Sequence, residues 1–84
     1  MKRFRIYTED KNRENIEELL SIAFDGFTVI RTKGFWKGTP ENAVIIEIFT
    51  KDAKLVRALC GAIKRRNKQE AVGLTVEQVD FELV

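Results

Sequence analysis

Apolar residues recur along the chain with two spacings, one typical of strands and one typical of helices. Alternation of apolar and polar residues indicates half-buried strands, whereas apolar residues three and four positions apart indicate helices with one buried face. The pattern predicts six elements: strands at about 3–8, 27–33, 43–49 and from 71 onward, and helices at about 13–25 and 52–67.

Short polar motifs mark the ends of the two predicted helices. Asn12 can cap the first helix, and either Thr50 or Asp52 can cap the second, because their side-chain oxygens accept bonds from free amides. Gly26 follows the first helix, and a glycine there is suited to a left-handed C-terminal residue. These motifs predict where the helices begin and end.

The element order β-α-β-β-α-β is that of the ferredoxin-like unit. It predicts an α+β fold in which a four-stranded antiparallel sheet of order 4-1-3-2 carries both helices on one face. Residues 34–42 form the only stretch with turn chemistry, which predicts a loop. The apolar rhythm of the last strand slips by one residue at Glu77-Gln78, which predicts a bulge or bend.

The amino-acid composition excludes several kinds of catalytic and metal-binding site. The 84-residue chain has no His and one Cys. It also has a single Ser, Ser21. A disulfide within the chain, a Cys/His zinc cluster and a Ser-His or Cys-His nucleophile are therefore excluded. Adjacent carboxylates at 9–10 and 17–18 have no diagnostic spacing, so we expect no catalytic residue, no metal and no cofactor.

Length and hydropathy predict one domain, residues 1–84, without a membrane segment. Met1 is followed by charged residues with no apolar stretch behind them, which is unlike a signal peptide. Apolar runs are far shorter than the ~20 residues that span a bilayer. We therefore expect a soluble cytoplasmic protein.

Basic residues concentrate in the second predicted helix, although the net charge of the chain is only +2. Residues 51–68 contain seven basic side chains and one acidic one. Arg65, Arg66 and Lys68 at its end are candidates for binding an anion. The alternative is that these cations complement the helix dipole and that mid-helix cations pair with the acidic first helix.

Two adjacent aromatic residues, Phe35 and Trp36, lie between glycines in the predicted loop. In an extended segment neighbouring side chains face opposite ways, so one of the two is exposed or at an interface. Trp36 can stack on a base while Lys37 neutralises a phosphate. Alternatively, the aromatic pair closes the core or packs on a neighbouring subunit.

The sheet face opposite the helices, here called the open face, is predicted to be unusually apolar. Tyr7, Ile45, Phe49 and Phe81 fall on it, and Glu47 falls beside an arginine of the first strand. Such patches on small proteins mark interfaces. We therefore expect these four residues to form an oligomer interface.

Several short motifs resemble the PII signal proteins and their CutA-type relatives. They are Gly26-Phe27-Thr28-Val29, Lys33-Gly34-Phe35, Ile45-Ile46-Glu47-Ile48 and Leu74-Thr75-Val76-Glu77-Gln78-Val79. The resemblance implies a ferredoxin-like homotrimer with ligand sites between subunits. The long regulatory loop and the glycine-rich phosphate turn of PII are missing. The chain also resembles small uncharacterised bacterial and phage proteins with a Gly-aromatic-Trp-Lys-Gly loop.

Together these features predict a non-enzymatic binding module, an oligomer and by resemblance a trimer, which senses or sequesters an anionic nucleotide-like small molecule. Its predicted ligand-binding residues are Trp36, Lys37, Arg65, Arg66 and Lys68. One alternative is a protein-interaction factor, including a phage-borne one, that acts on a host protein. Another is RNA binding by the sheet face, which is disfavoured because Glu47 would repel phosphate.

Overall fold

Strands and helices follow one another in the predicted order β-α-β-β-α-β. The computed structural model describes all residues from 1 to 84. Its elements are β1 Lys2–Glu9, α1 Arg13–Ala23, β2 Thr28–Trp36, β3 Thr39–Thr50, α2 Ala53–Asn67 and β4 Gly73–Gln78. The predicted α+β, ferredoxin-like class is confirmed.

The four strands form one antiparallel sheet in the order β2-β3-β1-β4, which is the predicted order read from the other edge. β1 and β3 occupy the centre, with β1 residues 2–9 paired to β3 residues 50–43. The edge strands are therefore β2 and β4, each with one side free of any partner in the chain.

The core lies between the sheet and the helices. Alternate residues of β1 and β3 point towards the helices, because successive strand residues face opposite sides. Each fully buried aliphatic or aromatic side chain contributes about 1.5–3 kcal/mol to folding. The ten core residues are Phe4, Ile6, Ile16, Leu20, Val44, Ile46, Ile48, Val56, Leu59 and Ile63.

The prediction of a loop at 34–42 is wrong, because β2 and β3 continue through it as a hairpin. The hairpin turns at Lys37 and Gly38, whose φ angles are +50° and +82°. Two consecutive residues with positive φ form the type I′ turn, whose twist matches that of paired strands. Residues 33–42 of this hairpin extend beyond the last β1–β3 pair and are called the arm below.

Pro40 explains why the arm can be a strand despite its loop-like composition. Pro40 pairs with Phe35 of β2. β1 ends at the level of Ala43, so this part of β3 has a strand on only one side. A missing backbone N–H is tolerated on such a free side.

The helix ends differ in part from the predictions. α1 ends at Ala23 rather than 25, because Phe24 adopts an extended conformation and packs against the core. Gly26 is not left-handed, so the predicted C-terminal role is wrong. Asn12 precedes α1, but its side chain does not cap it. Asp52 caps α2 as predicted, its carboxylate accepting a 3.0 Å bond from the amide of Leu55.

β4 ends at Gln78, at the predicted slip of the apolar rhythm. The amide of Val79 still donates to the carbonyl of Met1 (3.1 Å), but residues 79–84 belong to no strand. Phe81 then stacks on Phe49 of the open face, with ring centres 4.2 Å apart. The chain therefore leaves the sheet edge and crosses towards β3.

Candidate functional site

A cleft lies between the arm and the connection from α2 to β4. It has a volume of about 720 Å³. One wall is the arm, the other is the segment 68–73, and the open-face side chain of Tyr7 lies between them. Binding sites for small molecules typically measure about 300–1,000 Å³, so this cleft, called the arm cleft below, has the size of a ligand site.

Glu70 joins the two walls of the arm cleft. Its carboxylate accepts a 3.1 Å hydrogen bond from Nε1 of Trp36 and a 3.0 Å bond from Nζ of Lys37. Both partners lie at the tip of the arm, and all three side chains are at least partly exposed. The contact therefore closes the far side of the cleft without burying any charge.

A chain of side-chain hydrogen bonds fixes the segment 68–73. Oε1 of Gln69 accepts from the hydroxyl of Thr8 and from the amide of Asn67, both at 2.6 Å, and its own amide donates to the carbonyl of Ala71. Asn67 in turn accepts from Asn12 at 3.1 Å. Thr8 and Asn67 are only 4% exposed, so these bonds satisfy the buried polar groups of the protein.

Small residues keep the arm cleft open. A Cβ atom at Gly34 would lie 3.4 Å from Cβ of Ala43, and one at Gly73 would lie 3.3 Å from Cβ of Tyr7. A larger side chain at Gly73 would therefore meet Tyr7, and one at Gly34 would meet Ala43 and Glu41. Tyr7 as a whole is left 39% exposed.

The ion pairs around the cleft leave two of its cations free. Glu9 pairs with Lys11 at 2.9 Å, and Glu70 pairs with Lys37 at 3.0 Å. Lys33 and Lys68 also line the cleft, and neither makes an ion pair. Neither ammonium group is paired with a carboxylate, and that of Lys33 lies 5.9 Å from the centre of the Phe35 ring.

Two carboxyl groups of the cleft, Glu9 and Glu41, influence each other. Hydrogen bonding to Glu9 raises the pKa of Glu41, with burial adding to the effect. The pKa of Glu9 is lowered, first by the hydrogen bond from Lys11 and then by the one with Glu41. As pH falls, Glu41 therefore takes up a proton while Glu9 stays ionised.

The predicted ligand residues are not gathered at one place. Trp36 and Lys68 line the arm cleft, and Lys37 lies at the arm tip with its charge on Glu70. Arg65 and Arg66 lie on the exposed side of α2, outside the cleft lining. The guanidinium of Arg66 instead donates to the side chain of Asn15 on α1.

The predicted interface residues divide into two groups on the open face. Tyr7 and Ile45 line the arm cleft, whereas Phe49 and Phe81 stack on each other at the opposite end.

Between the two groups, Nε of Arg5 donates to Glu47 at 2.8 Å, which confirms the predicted cross-strand pair. The hydrogen bond to Glu47 raises the pKa of Arg5, so the guanidinium stays charged at neutral pH.

Sequence reasoning missed Glu9, Lys33 and Glu41 as cleft residues. The reason is the arm: a loop at 34–42 gives no register, whereas a hairpin places Gly34 opposite Glu41. Lys37-Gly38 between two stretches of alternating residues is a hairpin signal that could have revealed it.

Comparison with known proteins identifies the fold but no family. No protein-family model matches the chain, and no curated protein matches it. A DUF3240 family protein from Shewanella baltica OS155 is similar in structure, with a TM-score of 0.72 and 16% identity over 99% of this chain and 93% of that one. A phage SAM lyase in its apo state has a TM-score of 0.71 and 18% identity over 90% of this chain and 78% of that one.

These likenesses support the resemblance to small bacterial and phage proteins at the level of the fold. The resemblance to PII proteins stays a prediction. Neither helix has the length and apolar character needed to cross a membrane.

Proposed function

We propose that this protein binds an anionic, nucleotide-like small molecule in the arm cleft and does not transform it. One observation carries the proposal: exposed aromatic rings and cations that are not paired with a carboxylate line a single cleft of ligand size. The rings belong to Tyr7 and Trp36, and the cations are Lys33 and Lys68. The two kinds of group match the two halves of a nucleotide.

The aromatic groups suit a planar base. Tyr7 is 39% exposed and Trp36 is 46% exposed, so each retains free ring surface. Stacking of a base on an aromatic side chain contributes about 1–3 kcal/mol and tolerates any base. Gly73 leaves space beside Tyr7 that a side chain would fill.

The free cations suit a phosphate group. An ammonium group already held by a carboxylate gains little from an anion, because the anion competes with that carboxylate. Lys11 and Lys37 are in this position, whereas Lys33 and Lys68 are not. Lys68 belongs to the segment that Gln69 anchors, so its backbone is held in place before a ligand arrives.

Isothermal titration with ATP and with uncharged adenosine tests this proposal. Lys68→Gln removes a charge and is expected to weaken ATP binding several-fold while leaving adenosine unchanged. The matched control is Arg65→Gln with Arg66→Gln, which removes two charges outside the cleft and is expected to change neither ligand.

If the control variant loses ATP binding instead, the phosphate site lies at the end of α2 and not in the arm cleft. If neither ligand binds wild type at millimolar concentration, small-molecule binding is refuted. Recognition of a host protein by the exposed arm is then the function to test.

A second candidate function is a lyase reaction in the same cleft. The observation that favours it is the carboxyl pair of Glu9 and Glu41, whose pKa values move in opposite directions. Groups with separated pKa values can serve as base and acid in one site. One protein of similar fold is a SAM lyase, although at 18% identity the likeness itself concerns only the fold.

Incubation of the protein with SAM, followed by mass spectrometry of the small molecules, separates the two candidates. The binding proposal predicts that SAM is recovered unchanged. If products appear with wild type and not with Glu41→Gln, the lyase function is supported and the proposal of binding without reaction is refuted. Products that persist in this variant would argue against the carboxyl pair as their source.

A further inference from the structure

The outer edge of β2 is long and uncovered. β2 has nine residues, Thr28–Trp36, and pairs with β3 on one side only. Most of its side chains are exposed. The backbone N–H and C=O groups along such an edge are available to another strand.

Residues 79–84 have a strand pattern without a strand partner. Val79, Phe81 and Leu83 alternate with Asp80 and Glu82. Leu83 is 90% exposed. Such alternation is typical of a strand with one apolar face.

We propose that residues 79–84 of one copy add to the outer edge of β2 in a second copy. The charges of the two partners are complementary. β2 presents Arg31 and Lys33, whereas the segment presents Asp80 and Glu82. Cross-strand pairs of opposite charge stabilise a sheet, and pairs of like charge destabilise it.

The same pairing of the two strands also places their apolar residues on one face of the sheet. Ile30 is opposite Ile45, which places it on the open face and places Arg31 on the helix side. Phe81 lies on the open face because it stacks on Phe49. A continuous open face across the two copies therefore sets Phe81 on the same side as Ile30, and the two acids on the same side as the two bases.

Other pairings of these edges are disfavoured. Two β2 edges would oppose basic residues, which is how natural edge strands avoid pairing with their own copies. β4 offers no basic residue, and its one charged residue is Glu77. The acidic segment therefore fits β2 better than it fits β4.

The segment cannot reach β2 of its own chain in this way. β1 and β3 separate β4 from β2, and Phe81 has crossed only as far as β3. Val79 is still bonded to Met1 and Phe81 is stacked on β3, so only residues 82–84 remain, too few to pair along that edge as the whole segment would. Because the segment and the β2 edge are different surfaces, their contact is head-to-tail and closes a ring where the rotation permits.

Charge-swap variants, analysed without ligand by native mass spectrometry and sedimentation, test the proposal. The segment swap is Asp80→Lys with Glu82→Lys, and the edge swap is Arg31→Glu with Lys33→Glu. Each swap alone opposes like charges, so we expect monomer. A chain with both swaps again has opposite charges and is expected to assemble like wild type.

The matched control, Lys54→Glu with Arg57→Glu on α2, changes the net charge as much as the edge swap and is expected to leave assembly intact. Circular dichroism checks that each variant is folded. A wild-type monomer at high micromolar concentration overturns the proposal, as does assembly of both single swaps or a folded double swap that stays monomeric.

Hydrogen exchange on wild type gives an independent measurement. We expect the outward amides of β2 to gain protection as protein concentration rises, and unchanged exchange in an assembled sample would contradict the pairing. Because no ligand is present, these outcomes do not depend on nucleotide binding in the arm cleft.

Discussion

The substitution Trp36→Ala distinguishes between two roles of Trp36, stacking on a ligand and packing in the core. Trp36 is 46% exposed, so about half of its surface is covered. A buried aromatic side chain covers roughly 150–250 Å², so half of that is about 100 Å². At about 25 cal/mol per Å² this area corresponds to about 2.5 kcal/mol.

Two corrections lower this value. Extended-chain references overstate the area that folding buries, and the hydrogen bond to Glu70 is exposed to competing water. We expect the free energy of unfolding to fall by about 1–2 kcal/mol, which lowers Tm by roughly 4–15 °C for a chain of this size. Loss of stacking should raise the Kd for adenosine by roughly 5- to 150-fold.

Thermal melting with and without adenosine measures both effects in one assay. Trp36→Phe is the matched control, because it keeps an aromatic face but has a smaller ring and no bond from Nε1. It should retain most of the ligand-dependent shift. A stability loss of about 3–5 kcal/mol in Trp36→Ala, the range for aromatic core truncations, would refute the assignment of Trp36 to an exposed cleft wall. An unchanged Kd would refute stacking.

Two further predictions concern polar groups. Asn67→Ala should lower the free energy of unfolding by about 1–3 kcal/mol in urea titrations, because Gln69 and Asn12 lose a buried partner; a loss below ~0.5 kcal/mol would contradict the role given to this side chain. Glu41→Gln should raise Tm at neutral pH, because folding raises the pKa of Glu41 and the folded state therefore loses stability as pH rises through that pKa. The gain should vanish in acid, where the wild-type carboxyl is protonated, and a gain that persists there would contradict the assignment.

The fold follows from the sequence because its signals are periodic and redundant. Phe4 and Ile6 alternate with arginines in β1, and Ile16 and Leu20 repeat at helical spacing, so no single residue decides the outcome. The pair of Arg5 with Glu47 could be expected because it depends only on strand alternation and order.

The cleft could not be predicted in the same way. Its walls depend on one two-residue turn, Lys37-Gly38, and on contacts of Glu70 with residues more than thirty positions away. Glycine and proline within residues 34–42 favour a loop when only local propensity is considered. The free side of β3 that accepts Pro40 is a property of strand lengths, which have no local signal.

The hydrogen-bonded chain from Asn12 through Asn67 and Gln69 to Thr8 has a consequence for how many ways the protein can pack. An apolar helix face resting on an apolar sheet makes contacts that change little when the helix shifts by one turn. Such a shift of α2 would carry Asn67 away from its partners and leave its amide buried and unsatisfied, at about 1–3 kcal/mol. The four polar side chains therefore disfavour packing arrangements in which α2 is shifted along the sheet, which the ten apolar core residues alone would permit. The register of α2 is set at the polar end of the helix rather than in the apolar core.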